Sequence, residues 1–180
     1  MQALPGIVVI IMKRLLTAAL LMATVVSIFA QDLAPPQQVK DLGWMVGTWS
    51  GTGKISFGGH EVEITSAMTV EFEGQFLKAV SKDTSEGSTL TKTTMTGWEP
   101  GKSQYISYTF TNMAPTARIA HGKLNGSALE MVSDPWEAEG FTMVSRETMS
   151  KISDTKIGMK LEYKQGDKWI TGMDFVLTKQ

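Results

Sequence analysis

The chain has 180 residues, 42% of them hydrophobic and 19% charged, with a formal charge of −1. That length and balance fit one globular domain with a sizeable core and exclude disorder over most of the chain. Cysteine is absent, which excludes disulfides and a lipoprotein thiol, and lysines alternate with acids along the chain, which removes the clustered basic surface that a nucleic-acid partner needs.

In chain order, Met12-Lys13-Arg14 comes before an apolar run from Leu15 to Ala30 whose only polar members are Thr17, Thr24 and Ser27. A charged start, a short apolar stretch and a small residue before Gln31-Asp32 form the pattern of a signal helix. Residues 1–30 are therefore expected to be an N-terminal extension and signal peptide, and the product periplasmic or secreted. Membrane contact is expected only through an uncleaved signal segment. Met1 to Ile11, with Pro5-Gly6 inside, adds an apolar segment that a signal starting at Met12 does not need, so translation from Met12 is the simpler start. Cleavage removes Lys13 and Arg14 and no acid, taking the formal charge from −1 to −3.

Residues 31–41, with Pro35-Pro36, read as a linker, and Gln37 to Gly43 as a short capping helical turn. Residues 42–180 then carry period-two patterning. In Gly47-Thr48-Trp49-Ser50-Gly51-Thr52-Gly53 a tryptophan stands between glycines as a strand begins. Such a ring can plug a small barrel while the glycines let the strand curve and a neighbouring backbone approach, so Gly47, Trp49, Gly51 and Gly53 are the expected closure residues. From Glu61 to Glu73, Val62, Ile64, Met68, Val70 and Phe72 share one face and acids and threonines the other.

Further strand-like runs are Gln75 to Ser81, Thr89 to Trp98, Gln104 to Asn112, Ala117 to Leu124, Ala128 to Ser133, Gly140 to Lys151, Thr155 to Tyr163 and Trp169 to Thr178. Turn signals such as Gly58-Gly59, Glu73-Gly74, Glu86-Gly87, Asn125-Gly126 and Gly166-Asp167 separate them. The prediction is all-β: an antiparallel up-and-down barrel of about ten strands. Closure removes both exposed edges, and a barrel of that width leaves a cavity.

Gly47-x-Trp49-x-Gly51-x-Gly53 resembles the N-terminal signature of nitrobindin-type haem-binding barrels, and Gly47-x-Trp49 the shorter signature of lipocalins, both calycins. Thr96-Gly97-Trp98-Glu99-Pro100, followed by Gln104-Tyr105-Ile106-Ser107-Tyr108-Thr109-Phe110, resembles an exported bacterial domain-of-unknown-function family with a Gly-aromatic-Asp turn and then an aromatic, hydroxyl-rich strand. Glu99 stands where that turn usually has aspartate. The resemblance covers about residues 42 to 178. It implies a calycin-like, lipocalin-like barrel. Nitrobindin-type barrels bind haem through a histidine near the C-terminus, where this chain has none; its histidines are His60, beside a turn, and His121, in a strand. No haem or other cofactor is expected, and His121 is the one ligand a haem-binding alternative could use.

Catalytic signatures are missing: there is no cysteine nucleophile, Gly-x-Ser-x-Gly elbow or His-Glu-x-x-His. Gly97 to Ser103 approaches a phosphate loop but has one residue too few between its glycines and leads into a strand, so it reads as a hairpin turn. Asp134, Glu137 and Glu139 around Pro135-Trp136 read as a solvated rim. Asn125-Gly126-Ser127 has the form of a glycosylation sequon but reads first as a hairpin turn.

Arg146 suits a carboxylate-bearing ligand or a tryptophan stack if its face is the lumen, and an outward ion pair if it is not; either face can be the lumen. Nine methionines follow the signal segment, spread singly over separate strands. That spread argues for core or cavity lining over a copper site, and no metal is expected. Candidate ligand-binding residues are Arg146, Tyr108, Met95, Met143 and His121. The expected role is non-enzymatic binding of a small, mostly apolar molecule in the lumen. The alternatives are a structural or partner-binding barrel with a filled interior, and a haem-binding nitrobindin-like protein.

Overall fold

The computed structural model describes residues 34–57, 59–138 and 140–180. The signal helix expected over residues 1–30 lies outside the described residues. Ten strands close into one antiparallel barrel: β1 (Gly47–Phe57), β2 (His60–Glu73), β3 (Phe76–Ser85), β4 (Ser88–Glu99), β5 (Gln104–Thr111), β6 (Arg118–Asn125), β7 (Ala128–Ser133), β10 (Ser145–Ser153), β11 (Lys156–Gln165) and β12 (Lys168–Lys179). Neighbours follow chain order, and β12 returns to β1, so no barrel edge is left unpaired.

Strand β2 shows why these residues make this wall. Ile64, Ser66, Met68 and Val70 are buried, while Thr65, Ala67 and Thr69 between them are exposed. A serine holds one of the inward places, an early sign that the lumen is not purely apolar.

One end of the barrel is sealed. Helix α1 (Gln37–Lys40) and a 3-10 turn (Gly43–Met45) bury Val39, Leu42 and Met45 in the same core cluster as Trp49. The capping turn belongs to the compact unit Ala34–Gln180. Trp49 is fully buried, and its indole N–H donates to the Met45 carbonyl at 2.7 Å. The Tyr105 hydroxyl donates to the Gln38 carbonyl at 2.7 Å, and Trp98 meets the Tyr105 ring edge-on at 5.1 Å.

The glycines of β1 do what their place suggests. A Cβ on Gly53 would stand 2.5 Å from the Cβ of Phe175, and one on Gly51 would collide with the Val176 carbonyl oxygen. Only without side chains can β1 lie this close to β12.

The run from Gly140 to Lys151, expected as one strand, is divided at Val144. Its first part, β9 (Phe141–Met143), leaves the barrel and pairs with β8 (Trp136–Ala138) in a separate two-stranded ribbon. Barrel pairing between β7 and β10 resumes at Val132 opposite Arg146. At the base of the ribbon, the Ser145 N–H donates to the Ser133 Oγ at 2.8 Å, and the two hydroxyls lie 3.2 Å apart. A side-chain oxygen there takes the bond that the ladder would otherwise supply, which lets the chain turn out of the sheet.

Candidate ligand-binding lumen

Strand alternation aims every second side chain of the barrel inward. Halfway along the lumen this brings together charges far apart in sequence. Asp83 on β3 is buried, accepts a hydrogen bond from Ser66 Oγ at 2.6 Å and pairs with Lys92 on β4 at 2.7 Å. Arg118 on β6 is buried and pairs with Glu147 on β10. It also donates to Ser145 Oγ at 3.0 Å and to Thr109 Oγ1 at 3.4 Å. Burial pushes the Glu147 carboxyl up, but the Arg118 and Lys92 charges and the Arg118 hydrogen bond outweigh it, holding the group below the ordinary carboxylate range. The result is a belt of two cations and two acids across the barrel.

The belt borders two chambers, and Lys92 and Glu147 line both. The lower one, toward the sealed end, has a volume of about 80 Å³ and collects Met45, Met68, Met131, Met149 and Met159 with Leu77 and Leu129. The upper one holds about 300 Å³. Its walls are Ile55, Leu90, Leu161 and Met173 from the barrel, Met113 from the β5–β6 connection, and Trp136, Phe141 and Met143 from the ribbon; Arg118, Lys92, Glu147, Tyr163, Thr109 and Thr111 are its polar members. Glu147 keeps 26% of its side-chain surface accessible. Since it stands inside the barrel, that surface faces the chambers.

A profile described as "Protein of unknown function (DUF1579)" matches residues 34–179. The chain belongs to the DUF1579 family. This agrees with the resemblance carried by Thr96–Pro100 and the strand after it. Among solved structures, the barrel is similar to that of Rv2717c from M. tuberculosis, with a TM-score of 0.59 and 15% identity over 81% of this chain and 99% of that one. At that identity the likeness concerns the fold alone. No curated protein matches the chain.

In this DUF1579 barrel the residues singled out from sequence fall on both sides of the wall. Met143 lines the upper chamber. Arg146 does not reach it, because β10 turns its odd-numbered residues inward: Arg146 lies on the outer face, bonded to Glu162 at 2.7 Å and stacked 4.6 Å from the Trp169 ring. Tyr108 is also on the outer face and exposed, and Met95, directly opposite it on β4, shares that face. His121 is outward on β6, with its ring nitrogens 3.1 Å from Gln104 Nε2 and 3.5 Å from Asp134 Oδ2. His60 opens β2 and is exposed. The structure therefore brings Met143 to the cavity and leaves Arg146, Tyr108, Met95 and His121 outside it.

The lumen residues that sequence reasoning missed are Asp83, Lys92, Arg118 and Glu147. Arg118 left one trace. Ala120 and Gly122 share its face of β6, and a Cβ on Gly122 would run into the Glu130 backbone, so that face is crowded and inward. Trp136, expected on a solvated rim, is half-buried and lines the upper chamber instead. Asp134 and Glu137 are exposed, as a rim requires, and Glu139 lies outside the described residues. Gly97 to Ser103 forms the end of β4, a 3-10 turn and the approach to β5, not a strand-to-helix phosphate cradle.

Proposed function

We propose that this protein is an exported, non-enzymatic barrel that binds a small, mostly apolar molecule in its upper chamber. The observation that carries this reading is a volume of about 300 Å³ with aliphatic, thioether and aromatic walls and fewer polar groups, of which Lys92 and Glu147 also border the lower chamber. That is the make-up of a small-molecule site: area for binding and few polar points for orientation. Methionine walls adapt to varied shapes, which suits a ligand held mainly by burial. A filled, purely structural barrel would have side chains occupying this space. Haem has little to hold it here, since both imidazoles, His60 and His121, stand outside the chamber.

The test uses N-phenyl-1-naphthylamine, whose emission rises in apolar surroundings. Saturable one-to-one binding is expected, and Leu90→Trp, which fills the chamber with an indole, should suppress it in a protein that still folds. Folded protein without saturable emission would end the ligand-binding reading. Native mass spectrometry of protein from its own host would then give the mass of the natural ligand. Export is tested separately: the exported protein's first residue should be at or near Gln31.

A further inference from the structure

The floor of the upper chamber consists of charges that cancel one another. Lys92 has its acid in Asp83, 2.7 Å away, and Arg118 has its acid in Glu147. The remaining reach of the Arg118 fork is used on Ser145 and Thr109. A carboxylate entering this chamber would lose its water and meet cations already engaged, with Glu147 repelling it. An ammonium would meet acids already engaged, with Arg118 repelling it. Burying an ion without a free counter-ion is among the costliest exchanges available to a protein.

One polar group in the wall is different. Trp136 lines the chamber, and its indole N–H is buried with no hydrogen-bond acceptor among the described residues. A buried donor left unpaired costs more than a bond made, so a ligand oxygen that accepts from it gains on both counts. An uncharged acceptor achieves this without the penalty of a buried ion.

We propose that the chamber selects an uncharged apolar molecule bearing a single hydrogen-bond acceptor, of the ketone, aldehyde or ester class. Its oxygen accepts from the Trp136 indole, its chain lies along Leu90, Leu161, Met143 and Met173, and the self-neutralised floor turns away fatty carboxylates and amines. This rests on the ligand-binding reading above and adds the chemical class.

Displacement of N-phenyl-1-naphthylamine by decane, 2-decanone, decanoate and decylammonium tests the proposal. The ketone should displace at concentrations about fivefold below the alkane, the effect of one net hydrogen bond, and at least about tenfold below either ion. In Trp136→Phe the ratio of ketone to alkane should fall to about one. Glu147→Gln leaves the Arg118 charge without its acid, and there decanoate should gain on 2-decanone. An ion that displaces as well as the ketone overturns the selectivity, and so does a ketone preference that survives in Trp136→Phe. Bound fluorophore that none of the four displaces would overturn the chamber itself as the ligand site, an outcome distinct from a reversed order among them.

Discussion

The end of the barrel closed by Trp49 and the end roofed by the β8–β9 ribbon meet the same requirement with opposite chemistry. At the sealed end, Val39, Leu42, Met45 and Trp49 are buried together, and each polar atom named there, the Trp49 indole and the Tyr105 hydroxyl, has a backbone carbonyl as its partner. Toward the ribbon, buried ions stand across the lumen and the space above them is open. The interior is filled at the sealed end, and a void is kept toward the ribbon.

The largest expected effect belongs to the sealed end. Trp49→Ala removes a fully buried indole and its hydrogen bond, and denaturant melts should show a loss of about 3 to 5 kcal/mol, a large part of the stability of a small domain. A variant as stable as the parent would erase the contrast between the two ends.

Next is the belt. Glu147→Leu strands Arg118 inside the lumen and should cost about 3 kcal/mol, whereas Glu147→Leu combined with Arg118→Met removes both charges and should recover most of that loss. If the double variant is no better than the single one, the ion pair is not the unit that matters.

Acid sharpens the same point. The folded-state pKa of Glu147 is depressed, so the stability this group contributes is present above its unfolded-state value and disappears as pH falls through the folded one. Parent protein should therefore lose stability relative to Glu147→Gln as melts are taken below about pH 4, near and under the ordinary glutamate range. Parallel pH profiles would contradict the assignment.

The smallest effect is expected at the ribbon. Trp136→Ala should change stability by no more than about 1 kcal/mol, because the ring sits on a three-residue strand outside the barrel ladder and borders a void rather than a packed core. Compared with Trp49→Ala, this variant separates a tryptophan that holds the fold from one that borders a cavity.

The barrel was legible because its signals are local. The alternation in β2, the glycines around Trp49 and the turn pairs between strands each act within a few residues, and short antiparallel connections leave little choice of topology. The chamber was not legible because its membership is set by parity. On β10, Arg146 and Glu147 are neighbours of equal prominence, and only the division at Val144 and the register with β7 decide that Glu147 faces in. On β4 most residues from Ser88 to Thr96 are polar, and the two apolar ones mark opposite faces, Leu90 that of Lys92 and Met95 the other, so composition does not say which face is inward. The methionines teach the same lesson. They are scattered singly along the sequence, yet eight of the nine that follow the signal segment line one chamber or the other, since inward positions on separate strands converge in a closed barrel.

The way the ribbon is attached has an evolutionary consequence. Because β7 and β10 pair across its base and two serine hydroxyls bridge the point where it departs, the segment between Ser133 and Ser145 can be lengthened, shortened or exchanged while the staves of the barrel keep their register. A change of roof over the upper chamber therefore does not require a new vessel beneath it.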